Sequence, residues 1–139
     1  MLRTFVTFQT CFPDDGVFDS AGNPQAPTGK NVADAIVGLL RGRGADVTDP
    51  VQHSFYGWQF TLNADGESFV FLLQYPESWL LFSRRAGSLL DKLRSERSDE
   101  AHRKVLAQVS TLLSHDIRFG RQLWFTKDEY ERGASGPLH

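Results

Sequence analysis

Three carboxylates, Asp14, Asp15 and Asp19, fall within the stretch FPDDGVFDSAGN, with Phe12 at its start and Phe18 between Asp15 and Asp19. Acids interspersed with aromatic rings make a surface that is both anionic and apolar, suited to entering a basic cleft on another protein. These five residues form the candidate partner-binding set. The same carboxylates, with Asn23, invite a cation, but the alternating ligands and distal glutamate of a calcium loop are missing. No metal site is assigned.

A second cluster lies in HSFYGWQF, residues 53–60, where four aromatic rings surround a glycine. His53, Tyr56 and Trp58 could line a small-molecule or catalytic pocket, with Gly57 leaving space beside the rings. The competing reading places most of these rings inside a sheet. If 53–62 is one strand, Tyr56, Trp58, Phe60 and Leu62 share a face by the two-residue repeat.

Other chemistries find no complete set. GNPQAPTGKN ends in Gly-Lys like a phosphate loop, yet Pro24 stands at its first glycine position and Asn31 follows the lysine in place of Ser or Thr. Cys11 has no evident His base and reads as a small buried hydrophobe. No Gly-x-Ser-x-Gly elbow occurs, and Glu67 and Glu77 sit at turns without a sign of a cleft. His53, His102 and His115 are dispersed, so His53 reads as structural, His102 as a surface residue of a charged helix and His115 as its cap. No catalytic residue and no cofactor is assigned, and enzymatic activity has no supporting motif.

Composition narrows the partners. The 139 residues suffice for one domain with a substantial core. The net charge of -2 argues against a nucleic-acid binder, because phosphate contacts need clustered cations. An RNP1-like pattern is absent from residues 68–75, although Arg84, Arg85, Arg118 and Arg121 could gather a small positive patch. One cysteine excludes an intrachain disulfide. The opening MLRTFVTFQTCF is too polar for a signal peptide, and no segment approaches the roughly 20 apolar residues of a membrane span. The expectation is a cytoplasmic protein without a membrane association, its oligomeric state unspecified.

These residues need elements to hold them. Leu2 to Cys11 reads as a strand, and 12–28, rich in Pro, Gly, Asp and Asn, as a long loop. Thr28 can cap a helix from Lys30, with Val32, Ile36, Leu39 and Leu40 on its buried face and Gly44 as its C-terminal stop. Asp46 to Pro50 reads as a polar connection. Strands at 53–62, 67–75 and 79–83 form a meander, turned by NADG and PES. A short helix is marked by Ala86, Leu89, Leu90 and Leu93, and a longer one from Ser98 carries the stripe Ala101, Val105, Leu106, Val109, Leu112 and Leu113. Arg118 to Phe125 reads as a last strand, and TKDE as a capping box opening a terminal helical turn. The fold class is α+β: an antiparallel sheet of about 4–5 strands with helices on one face, a single domain over 1–132 and a flexible tail over 133–139.

RTFVTF, the helix ending LLRGRG, YGWQF and WLLF together resemble small bacterial α+β proteins, some of which are immunity partners of secreted toxins, including those of type VI systems. The resemblance spans about residues 1 to 125 in pattern and carries over no functional residue. It implies a stoichiometric binding protein in place of a catalyst, with a toxin domain as the expected kind of partner.

Overall fold

The computed structural model describes residues 2–54, 57–75, 78–86 and 95–133, with the side chains of 95–98 left out of account. The chain runs β1 (Phe5–Thr10), β2 (Val17–Phe18), β3 (Pro24–Ala26), α1 (Lys30–Gly42), β4 (Asp46–Val47), β5 (Val51–His53), β6 (Gly57–Ala64), β7 (Glu67–Gln74), β8 (Trp79–Ala86), α2 (Ser95–His115), β9 (Phe119–Phe125) and α3 (Lys127–Gly133). The class is α+β, with an antiparallel sheet ordered β4-β6-β7-β8-β1-β9 and β5 also paired to β6.

The meander β6-β7-β8 is the body of the sheet. Asp65 and Gly66 turn β6 into β7 with φ of 55° and 75°, the two positive values that a two-residue turn compatible with strand twist requires. Ala64 thereby pairs with Glu67, and the alternation is fixed along both strands. Trp58, Phe60 and Leu62 on β6 and Phe69, Phe71 and Leu73 on β7 are all buried on one face. β1 lies between β8 and β9, antiparallel to both, so α2 crosses over β1 in passing from β8 to β9.

Both long helices cover that same face. α1 buries Val32, Ala33, Ile36, Val37 and Leu40, while α2 buries Ala101, Val105, Leu106, Val109, Leu112 and Leu113. All of these but Leu106 join Val6, Phe8, Leu81 and Phe119 in one cluster. Each large apolar side chain withdrawn from water contributes about 1.5–3 kcal/mol before ordering costs. α3 lies on the opposite face: Tyr130 stacks on Phe5 at 5.1 Å and meets Phe125 edge-on at 6.0 Å. It starts from a reciprocal capping box, in which the Thr126 amide donates to Glu129 Oε1 at 2.8 Å and the Glu129 amide to Thr126 Oγ1 at 3.0 Å.

Several expectations are corrected. The stretch 53–62 is not one strand: Ser54 has a φ of 53°, and His53 folds back to pair with Gly57. Asp46 to Pro50 contains a short strand, and 12–28 contains the antiparallel pair β2–β3. The sheet therefore has more strands than the 4–5 expected, because pairs of two or three residues are too short to show alternation. α2 begins at Ser95, upstream of Ser98. Ala86 ends β8, and the short helix expected beyond it falls at 87–93, outside the described residues. So does the expected tail from residue 134 onward.

Candidate functional site

The candidate binding segment is built around Asp15. Its Oδ1 accepts the Gly29 amide at 2.7 Å and its Oδ2 the Asn31 amide at 2.9 Å. Both are donors that the first turn of α1 leaves unpaired, and the carboxylate also lies at the positive end of the helix dipole. Asp15 thus caps α1, in place of Thr28, whose hydroxyl hydrogen-bonds to Asp15 Oδ1 at 3.3 Å. The comparison with a phosphate loop fails here structurally as well: the chain's own carboxylate occupies the amides where a phosphate would sit.

The other residues of the set divide by role. Asp14 Oδ1 accepts the Gly16 amide at 2.8 Å, and Asp19 Oδ1 accepts the Ala21 and Asn23 amides at 2.9 and 2.8 Å. These bonds hold both carboxyl groups below the ordinary Asp range, chiefly through the Gly16 amide for Asp14 and the Asn23 amide for Asp19. Phe12 folds back onto the core, with its ring 5.8 Å from Phe119 and Arg118 stacked over it at 5.3 Å. Phe18 does not: it is 61% exposed, and Val17 beside it is 53% exposed.

The segment is tied to the domain along its length. Gln52 Nε2 donates to the Gln25 carbonyl at 3.0 Å, Trp58 Nε1 to the Pro27 carbonyl at 2.9 Å and Asn31 Nδ2 to the Pro13 carbonyl at 3.0 Å. Val17 pairs with Ala26, and Phe18 with Pro24. A pair of exposed apolar residues therefore stands on a cross-braced hairpin flanked by ionised Asp14 and Asp19. Sequence reading found Phe18 but passed over Val17, whose exposure depends on a strand of two residues.

Of the alternative pocket's residues, the two that are described, His53 and Trp58, do not share a face. His53 pairs with Gly57, so register sets it on the sheet face opposite Trp58, which is buried under α1 and the hairpin. Tyr56 lies outside the described residues. Gly57 leaves no free space either: a Cβ there would stand 2.0 Å from the Leu73 carbonyl oxygen. Glycine is needed for the close approach of β6 to β7.

Two further expectations change. Cys11 is exposed, because it follows the last strand residue of β1 and leaves the core face. His102 is buried, not on the surface: its Nε2 lies 2.8 Å from Ser83 Oγ, and its ring stacks on Phe69 at 4.8 Å. Burial lowers its pKa, opposed by Asp99 and assisted by Arg85. A Ser–His hydrogen bond is half of a nucleophile and base arrangement. Here both residues are more than nine-tenths covered, and neither lines the adjacent cleft of about 540 Å³ formed by Asp65, Glu67, Glu100, Ala101 and Lys104. The pair satisfies two buried polar groups between α2 and the sheet. No sequence signal joined residues 19 positions apart.

Among the described residues, no three His, Cys, Asp or Glu side chains gather at a geometry able to hold a metal ion. No helix among them is long and apolar enough to cross a membrane. No family model, curated protein or solved structure matches the chain.

Proposed function

We propose that the chain is a non-enzymatic protein-binding protein of the toxin-immunity kind, which uses the β2–β3 hairpin to occlude a basic cleft in its partner. The observation that carries this reading is the pairing of Val17 and Phe18, more than half exposed, on a segment braced at both ends. Two large apolar groups held in water are stabilised when a partner pocket covers them, by about 25 cal/mol per Å² of apolar surface removed. Bracing reduces the conformational freedom that binding would otherwise cost. The ionised Asp14 and Asp19 favour a cationic cleft over a neutral one and speed the encounter with it.

Replacing residues 17–26 with a Gly/Ser linker tests this reading while leaving Asp15 in place to cap α1. The wild-type chain should retain a stoichiometric partner in affinity capture from native lysate, and the linker variant, folded by circular dichroism, should lose it. Undiminished recovery by the linker variant rejects the hairpin's role.

A further inference from the structure

At one end of the sheet β1 and β7 finish, at Thr10 and Gln74, while β6, β8 and β9 begin, at Gly57, Trp79 and Phe119. Register brings these points together: Thr10 pairs with Phe119, Phe8 with Trp79, Gln74 with Leu80 and Leu73 with Trp58. Among the described residues six large apolar side chains are exposed, and four of them, Val17, Phe18, Tyr75 and Ile117, stand at this end. The others are Val51 on β5 and Leu123, which pairs with Thr7 midway along β1. At the far end, where β6 turns into β7, the described residues expose none. Apolar residues scattered singly over a surface need no explanation, whereas a grouping at one end does.

Ile117 is fully exposed in the turn between α2 and β9, and that turn is fixed. The Phe119 amide donates to the Asp116 carbonyl at 3.1 Å, the Arg118 amide to Asp116 Oδ1 at 2.9 Å and Arg118 Nη2 to Asp116 Oδ2 at 2.6 Å. A polar residue between Asp116 and Arg118 would serve the turn as well, so the apolar side chain adds nothing to the fold. The Arg118 guanidinium lies over the Phe12 ring, which packs on Phe119; the turn and the start of the hairpin segment are therefore one packed unit. Tyr75, 49% exposed, is joined to the other end of that segment. Its ring lies 4.5 Å from that of Trp79, and Trp79 reaches within 3.0 Å of the Cβ position of Gly29, whose amide Asp15 holds.

Charge at this end is one-sided. Its cations are paired, Arg118 with Asp116 and Lys30 with Asp34. Asp14 and Asp19 are held ionised by backbone amides and meet no cation among the described residues.

We infer that the partner of the hairpin meets a single footprint running from Phe18 past Tyr75 to Ile117, and that this partner is a protein with an apolar shelf beside its basic cleft. The footprint rests on the reading of the hairpin as a binding element and extends it. β2 and β3 contribute two and three residues, far fewer than the roughly 20–30 a side in a standard interface, which covers about 800 Å² of each partner. β7 and β9 are separated by β8 and β1, so Tyr75 and Ile117 stand about 14 Å apart at about 4.8 Å per strand spacing. That separation fits within the roughly 28 Å width of such an interface. Tyrosine is among the side chains that dominate binding energy when a pocket covers them. A small polycation would satisfy Asp14 and Asp19 but leave the apolar groups in water; a protein surface covers both.

A photoreactive benzophenone amino acid placed singly at Phe18, Tyr75, Ile117 and Leu123 tests the footprint, with crosslinked products from native lysate identified by mass spectrometry. The expected result is one and the same protein from Phe18, Tyr75 and Ile117, through apolar peptides at the last two positions and a peptide next to Lys and Arg residues at Phe18, with none from Leu123. Crosslinking of that protein from Phe18 alone, or from Leu123 as readily as from Ile117, overturns the footprint and leaves the hairpin reading standing. Crosslinking from Ile117 or Tyr75 without Phe18, or from no position, overturns both. Against the purified crosslinked protein, Ile117→Ser should weaken binding by about tenfold with the melting transition unchanged, because the side chain touches no core residue. An affinity equal to that of the wild type overturns the footprint.

Discussion

The Asp15 carboxylate accepts the Gly29 amide at 2.7 Å across 14 residues of sequence, and this one contact fastens the candidate binding segment to the first turn of α1. Gly29 takes a φ of 118° there, a conformation that glycine adopts without steric cost. Asp15→Ala leaves the Gly29 and Asn31 amides without their acceptor and should cost about 1–2 kcal/mol in urea unfolding. Hydrogen exchange should quicken first at those two amides. Asp14→Ala, which removes one exposed turn contact, should leave exchange in α1 unchanged.

Gly57 and Gly38 should respond in opposite directions to alanine. At Gly57 the new methyl group would meet the Leu73 carbonyl oxygen at 2.0 Å, and backbone cannot yield as a flexible side chain does. Gly57→Ala should therefore destabilise the fold by about 1–3 kcal/mol or more through overpacking. Gly38 lies in α1 with nothing within 4 Å of its Cβ position, and Gly38→Ala should raise stability by about 0.5–1 kcal/mol. Paired thermal and denaturant unfolding of the two variants checks both signs.

Burial lowers the His102 pKa below its ordinary value. As pH falls through about 6.5, the unfolded chain takes up a proton that the folded chain refuses, so stability present at neutral pH is lost from that point down to the folded pKa. Asp14, Asp19, Asp116 and Glu129 have depressed pKa values. Their contribution is complete above about pH 4 and is lost only in stronger acid, which separates the two windows. His102→Gln should flatten the stability profile below about pH 6.5 while lowering its plateau at pH 7. A profile in that window with an unchanged slope would assign the effect to other groups.

The long elements were legible because their periods are long enough to read. The α2 stripe from Ala101 to Leu113, the alternation along β7 and the TKDE capping box all appear in the fold as their spacing indicates. What escaped depended on contacts between distant positions. His102 carries a polar side chain on a charged helix, and only the tertiary placement of Ser83 makes its burial tolerable. Thr28 has the chemistry of a cap at the right position, but Asp15 competes for the same amides with a full charge and prevails. The strand expected over 53–62 breaks at Ser54, whose φ of 53° ends β5 and lets it pair back against β6, a reversal that no residue pattern marks. Within the candidate site, composition identified the acidic and aromatic residues, while cross-bracing decided that Phe12 turns inward and Phe18 outward.

The exposed hairpin tip is most directly tested by calorimetric titration of the purified partner with wild-type protein and with the Val17→Ser/Phe18→Ser variant, at low and high salt. Both side chains are more than half exposed, so the variant should melt as the wild type does while its affinity falls by about a hundredfold or more. The wild type should bind with 1:1 stoichiometry and weaken as salt rises. A folded variant that binds as tightly as the wild type would contradict the account.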